Sequence, residues 1–429
     1  MENTSRICGD SEVPTKGQEA SGPDRPNRLV VMLLSNGLVR IPVDKQGSPE
    51  GHITMLASEF AFLKQRAVIV DRMYQEDMGK SRLASTGFEI DRVTARYIGP
   101  STLERNSGSR FLYWLRTVIF TTIFVRKALP VIQSVNPDVI NTFAIYETLL
   151  VVVFAPSYRL RIVYNHHTST YPSGGFIGTL MSNVAKTTVR MTGGVIALTP
   201  SDGKWFQDLG ARNVEVIPPG VRIPSNLGAC KPGSKFILFV GRISKEKGID
   251  TLIHAFGLLH TKYGIKGIKL ALVGPFEAAE KGPRGAYTES ILRLVEELKL
   301  TSAISLTGYI SANDLQSYYS RCDFFVLPSI NETGSAASLE AMSYAKPVIS
   351  TPTQSGLAQI IPGWNGFLVK KGDAEDLADK MNILLMSPQL VKLMGNNARE
   401  FAQKHDWKVV ARAHLNYYKK LKQLSNRML

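Results

Sequence analysis

The chain has 429 residues, 44% of them apolar and 20% charged, with a net charge of +15 at pH 7. That length predicts two domains rather than one ordinary core; the composition is that of a soluble globular protein, and no uncharged apolar stretch reaches the roughly 18 to 20 residues that span a bilayer. The charge points to anionic partners (nucleic acid, phosphorylated small molecules or an acidic membrane surface), but with no zinc finger, RNA-recognition signature or basic helix arm in the sequence, nucleic acid is set aside.

Residues 1–27 are polar and rich in Pro, Gly and Ser, without the basic-then-apolar pattern of a signal sequence, and read as a disordered tail. Cys8, Cys230 and Cys322 have neither metal nor redox spacing, which fits a reducing cytosol and a cytoplasmic protein. "LVVMLLS" (29 to 35) is a short apolar run followed by a Gly/Pro loop and then by "ITMLASEFAFL", which has the look of a helix. Strand, loop, helix is how an open parallel α/β sheet begins. Further strands are expected at Ala67–Val70, Asp138–Asn141, Ile162–Asn165 and Gly194–Leu198. The aperiodic, Pro/Gly-rich segment 216 to 235 contains the expected linker, 223–235. A second α/β series follows in "FILFVG", "LALVGP", "ISLTG", "FFVLPS" and "PVIST", with Ile249, Leu252, Ile253, Phe256 and Leu259 on one helical face. Two such domains predict a cleft between them, with ligands at the C-terminal strand ends.

Two motifs carry chemistry. In "FVGRISKEKGIDTL", Arg242 and Lys247 occupy a strand-end loop flanked by Gly241 and Gly248, an arrangement suited to a diphosphate, though equally readable as solvated loop charge. Neither a P-loop nor a G-x-G-x-x-G is present. In "PSINETGSAASLEAMSYAKPVIST", Glu332 sits in a strand-to-helix loop and Glu340 inside the helix that follows. The small residues from Thr333 to Ala337 let a ligand approach the unsatisfied N–H groups of that helix N-terminus. Glu340 is placed to accept from a ribose diol and Glu332 from sugar hydroxyls. Either acid alone is no more than a favourable charge near a helix start.

Together these residues resemble the donor-binding half of glycosyltransferase family 4, retaining enzymes of the GT-B fold. "FVGRISKEKGIDTLIHAF", "LALVGP", "ISLTGYIS", "YYSRCDFFVLPS", "NETGSAASLEAMSYAKPVIST" and "GWNGFLV" follow the family's order over residues 236 to 369. The resemblance implies two Rossmann-like, doubly wound parallel-sheet domains facing a cleft: 28–222 binding the acceptor, 236–402 binding a nucleotide-diphosphate sugar, and 403–429 a C-terminal helix returning to the first domain. It implies that Gly241, Arg242 and Lys247 meet the diphosphate, Ala336 and Ala337 cradle it, Glu340 holds the ribose and Glu332 contacts the transferred sugar. "YNHHTST" is similar to the segment where the family keeps a histidine near the sugar, and its "HTST" form, also found in phosphatidylinositol mannosyltransferases, aligns that histidine with His167. "QGSPEG" resembles the family's Gly-Gly loop, matching at Gly47 but with Ser48 in place of the second glycine. Other departures are Thr333-Gly334-Ser335 for Gly-Phe-Gly and Gln359 for a later acid.

The expected activity is retaining hexosyl transfer from a nucleotide-diphosphate sugar to a glycan or lipid-linked acceptor. No cofactor and no metal are expected, since D-x-D is absent and Arg242, Lys247 and a helix N-terminus take the leaving charge. The alternatives are a nucleotide-sugar epimerase and a silent sugar-nucleotide-binding protein. Lastly, "RFLYWLRTVIFTTIFVRKALPVI" (110 to 132) is basic, aromatic and apolar. The preferred expectation is a helix buried on the first sheet with a solvated basic edge; the other is contact with an anionic membrane surface, making the protein peripheral.

Overall fold

The computed structural model describes residues 28–35, 49–72, 82–84, 89–93, 110–167, 175–225, 227, 236–276 and 285–428. Short apolar runs in this chain pair side by side and return through helices, as parallel strands must. The first half opens with β1 (Val30–Leu34), α1 (Pro49–Phe62), β2 (Arg66–Arg72), β3 (Arg82–Ala84) and β4 (Glu89–Val93). It continues through α2 (Arg110–Val135), β5 (Val139–Thr142), α3 (Ile145–Phe154), β6 (Ile162–Asn165), α4 (Gly175–Met191), β7 (Gly194–Ala197), α5 (Pro200–Asp208) and β8 (Val214–Val216). The second half holds β9 (Phe236–Val240), α6 (Ile249–Thr261), β10 (Lys269–Val273), α7 (Ala286–Glu297), β11 (Ile304–Gly308), α8 (Ala312–Arg321) and β12 (Phe324–Leu327). Then come α9 (Ala336–Ser343), β13 (Val348–Ser350), α10 (Gln354–Gln359), β14 (Gly366–Leu368), α11 (Ala374–Met386), α12 (Pro388–Gln403) and α13 (Trp407–Met428).

The first sheet is ordered β3-β4-β2-β1-β5-β6-β7-β8, parallel except for β3, and the second β11-β10-β9-β12-β13-β14, all parallel. Both orders reverse direction beside their first central strand, at β1/β5 and at β9/β12. These switch points are where such sheets open a crevice at the strand C-termini.

Alternation along β1 divides the first core in two. Val31 and Leu33 face α1 and α13, packing with Leu56, Phe60, Trp407, Ala411 and Tyr418. Met32 and Leu34 face α2 and α3, packing with Phe124, Ala128, Val151 and Val152. The last helix therefore belongs to the first sheet, and Lys422 adds a 2.7 Å ion pair to Asp138. The chain passes between halves at two adjacent places, 221 and 406, which pair as a bridge: Val221 N donates to His405 O (2.8 Å) and Trp407 N to Val221 O (3.2 Å). A Cβ on Gly220 would lie 2.4 Å from the Trp407 ring, so only glycine fits beneath that indole.

Two features depart from expectation. β3 and β8 are short edge strands with charged residues, β4 between β3 and β2 carries Glu89, Asp91 and Arg92, and β14 has only three residues; none has the apolar run that marks the central strands. The helix at 110 to 132 packs on the first sheet through Phe120, Phe124, Val125, Ala128 and Ile132, but its outer face is not merely a basic edge. Leu115, Ile119 and Ile123 stand 37%, 41% and 36% exposed there. The expected tail 1–27, the "QGSPEG" loop up to Ser48 and most of the linker 223–235 lie outside the described residues.

Candidate active site between the two sheets

The second switch point positions the cationic loop against the first acid. After β9, the chain turns through Lys245–Lys247 and Gly248, whose φ of +64° is left-handed. A Cβ on Gly248 would meet Pro328 O at 2.2 Å, so this loop can lie directly on the one that leaves β12. Ile330 N donates to Glu246 O (2.8 Å) and clasps the two loops together. Lys247 Nζ and Glu332 Oε2 consequently form an ion pair, with side chains only 16% and 17% exposed. Arg242, by contrast, is 63% exposed and pairs with Glu246 of the same loop at 2.6 Å.

The start of α9 is held from several directions. Ser335 Oγ accepts from Ser338 N (3.1 Å) as the helix cap, while Ser335 N donates to Ser355 Oγ (2.8 Å). Ser355 N donates to Glu332 O (3.0 Å). Gln359, where the family pattern has an acid, donates through Nε2 to Ser335 O (3.1 Å), and its own carbonyl accepts from Asn365 Nδ2 (2.9 Å). An ionised carboxylate has no proton to give that carbonyl, so the amide is suited to this frame. The N–H groups of Ala336 and Ala337 open the helix, where no preceding turn supplies carbonyls. Glu340 lies a turn further along, its carboxyl raised to about 7 by burial and pulled back only in part by the Tyr319 hydroxyl, which faces it outside strict hydrogen-bond geometry. Tyr319 and Tyr344 stack beside it with centroids 5.8 Å apart.

A cavity of about 550 Å³ lies between the halves, lined from the first by Thr199, Pro200 and Ser201 and from the second by residues including Glu332, Thr333, Gln354 and Lys371. On the first side Thr199 caps α5, accepting from Asp202 N (3.2 Å) and donating to its carboxylate (2.7 Å). Burial raises the Asp202 carboxyl, with the side chains of Thr199 and of Gln354 across the cavity opposing that rise.

His167 stands apart from this cavity. Successive residues at the end of β6 point to opposite faces: His166 packs on Phe206 (5.0 Å) and shares a 3.0 Å hydrogen bond with the Tyr164 hydroxyl. His167 turns to the α1/α13 side, 4.4 Å from the His52 ring and 5.5 Å from Phe143. His52 also contacts Trp407 (4.9 Å) and His414 (5.7 Å), and His414 Nε2 faces Asn165 Nδ2 at 3.4 Å. Burial lowers the whole group: His167 to about 3, His166 and His414 to about 4, and His52 well below its usual value, with neighbouring imidazoles adding to the effect on His52 and His167.

Of the residues expected at the site, Lys247 and Glu332 meet; Gly241 and Arg242 lie on the same loop, and Ala336, Ala337 and Glu340 on the adjoining helix. His167 is held in the histidine cluster, and Gly47 lies outside the described residues. The sequence reading missed Thr199, Asp202 and Gln354, which meet across the cavity, and His52 and His414. Only His414 has a sequence signal, at helical spacing with Trp407, Val410, Ala411 and Tyr418. Among the described residues no group of three or more His, Cys, Asp or Glu side chains is placed to hold a metal ion.

Residues 228–401 match the family profile described as "Glycosyl transferases group 1", and residues 80–223 match that of "Glycosyltransferase Family 4". An uncharacterised glycosyltransferase of Methanocaldococcus jannaschii is 34% identical over 40% of this chain and 44% of its own length. The sulfoquinovosyl transferase of Arabidopsis thaliana is 30% identical over 42% of this chain and 32% of its own. The aligned part thus spans less than half the length of either relative. Similar solved structures include sucrose-phosphate synthase from Thermosynechococcus elongatus (TM-score 0.75, 20% identity, 92% of this chain and 99% of that one). HepE of Anabaena in complex with UDP-glucose superposes with a TM-score of 0.67 at 19% identity, over 92% of this chain and 100% of that one. At these identities the likeness is one of fold, and the fold is GT-B.

Proposed function

This chain belongs to the family 4, group 1 glycosyltransferases, and from that premise we propose that it moves a hexosyl unit, with retention of configuration, from a nucleotide-diphosphate sugar to a glycan or lipid-linked hydroxyl. The observation that carries this reading is the Lys247–Glu332 pair at the β9/β12 switch point, one cation and one acid held beside the start of α9. A diphosphate bound there meets Lys247, Arg242 and the amides of Ala336 and Ala337, leaving Glu332 to accept from sugar hydroxyls and Glu340 to accept from the ribose. HepE, named above with UDP-glucose, supports a uridine diphosphate sugar as the first donor to try.

In the step itself the bond from the anomeric carbon to the diphosphate oxygen breaks as the acceptor oxygen bonds the same face of the sugar. The acceptor proton passes to the departing phosphate oxygen, and nucleoside diphosphate leaves. The charge that develops on that diphosphate is met by Arg242, Lys247 and the helix start, fixed before the reaction begins. We propose that these groups take the place of a metal. The first half, with the cavity wall of Thr199 to Ser201, receives the acceptor.

The test is release of nucleoside diphosphate from a panel of nucleotide sugars with and without acceptor, and the anomeric configuration of the product by NMR. An inverted product overturns retention. Epimerised sugar formed without any acceptor assigns the site to epimerisation. Donor binding without any turnover makes the protein a silent binder.

A further inference from the structure

We propose that the outer face of α2 docks on an anionic lipid surface, with the mouth of the cleft turned toward that surface. At 26 residues α2 is about 39 Å long, against about 17 Å for the five-residue β1 that it crosses. Among its described side chains, 115–135, those buried against the sheet run from Phe120 to Ile132. α2 ends at Val135, just before β5 begins at Val139, so its C-terminus lies at the N-terminal edge of the sheet and its first turns extend toward and past the opposite edge, where the cleft opens. On this overhang and just behind it, Leu115, Ile119 and Ile123 recur every fourth residue and are 37%, 41% and 36% exposed. Leu115–Val135 is long and apolar enough to cross a membrane by length and composition, yet only 28% of its apolar window is buried, and one face is committed to the sheet. Those facts fit a helix lying in the plane of an interface rather than spanning it.

Charge selects the occupant. Between Arg110 and Arg161 the sequence has six bases and two acids. Asp138 is already paired with Lys422, and Glu147 is buried, while Arg116, Arg126, Lys127 and Arg159 are exposed. Arg126 lies 5.5 Å over the Phe154 ring, which joins the basic edge of α2 to α3, where Val153 is 56% exposed. An apolar stripe bordered by bases, with no exposed acid among the described residues of α2 and α3, suits a bilayer of acidic headgroups better than a protein surface of mixed charge. The purpose of this docking rests on the glycosyl-transfer reading, since it would bring a lipid-linked hydroxyl to the cleft; the docking itself does not.

The experiment is flotation of the full chain with phosphatidylcholine vesicles, with and without phosphatidylglycerol, and needs no donor. Binding only to the anionic vesicles, weakened by salt, is expected. Arg116→Gln, Arg126→Gln and Lys127→Gln together should lower partitioning roughly a hundredfold, at about fivefold per base. Ile119→Asp with Ile123→Asp should reduce it to the level of neutral vesicles, leaving the melting temperature and the calorimetric affinity for nucleoside diphosphate unchanged. Failure to bind anionic vesicles overturns the proposal, as does binding that survives these variants. A stable dimer in solution that Ile119→Asp dissolves assigns the face to a second copy and overturns it too. Loss of nucleotide affinity in unsubstituted protein, with vesicle binding intact, would tell instead against the donor site.

Discussion

Lys247 and Glu332 come from loops 85 residues apart in sequence and close an ion pair at the strand ends where the second sheet reverses. Each is the other's partner before any substrate arrives. On the function proposed, a donor diphosphate that recruits the ammonium would free the carboxylate for the sugar, coupling binding and orientation in a single exchange.

Lys247→Ala and Arg242→Ala should each lower kcat/KM by about a hundredfold or more, the cost of about 3 kcal/mol for removing one contact to a leaving group. Their stabilities should differ. Arg242 is an exposed pair member whose loss leaves the melting temperature unchanged, whereas Lys247→Ala strands a largely buried carboxylate and lowers it. Steady-state kinetics beside thermal unfolding check both; near-normal turnover in both variants rejects the diphosphate assignment.

The two glutamates should separate by role and by pH. Glu332→Gln is expected to leave free nucleoside diphosphate affinity nearly intact while lowering kcat/KM for the whole donor. Glu340→Gln should weaken both. Because burial holds the Glu340 carboxyl near 7, a ribose contact that needs the carboxylate strengthens as pH rises through that value, and Glu340→Gln removes this dependence. Calorimetry from about pH 6 to pH 8 reads it; equal losses of nucleotide affinity in the two variants defeat the division.

The buried histidines make the first half acid-sensitive. Their folded pKa values lie below the unfolded one, so the unfolded chain binds more protons and stability falls as pH drops from about 6.5 toward about 4. Above that window they contribute no pH dependence. A single fully buried member such as His414 accounts for up to ~3 kcal/mol across it. Urea unfolding of His414→Gln should show a shallower loss between pH 6.5 and pH 4; an unchanged slope would clear this histidine of the effect.

Gly220→Ala should destabilise by about 1 to 3 kcal/mol, because its Cβ collides with the Trp407 ring where the two connections pair. Denaturant titration measures the loss, and Gly220→Ala combined with Trp407→Leu should recover part of it.

The second half was legible because its groups arrive in consecutive motifs: a strand, a loop holding Arg242 and Lys247, then a strand, a loop and a helix holding Glu332 and Glu340. Short apolar runs separated by helical spacing also located the central strands of both sheets. The first half hid its chemistry because convergence there is distant. His52, His167 and His414 meet from α1, the end of β6 and α13, and no local pattern announces such a meeting. The outer face of α2 was obscured for another reason. Apolar residues on nearly every side predict burial on every side, and only the packed structure shows which of them the sheet leaves uncovered.

The docking of α13 against Val31 and Leu33 also constrains how the protein is made. During synthesis β1 to β8 emerge before α13, so one face of the first sheet lacks Trp407, Tyr418 and Leu421 until the second half has been translated. The first unit to leave the ribosome is then the last to be completed, with an apolar surface open to chaperones or to wrong partners in the interval. A chain released before residue 407 would carry every residue proposed above for the donor and still lack the cover that the first sheet needs.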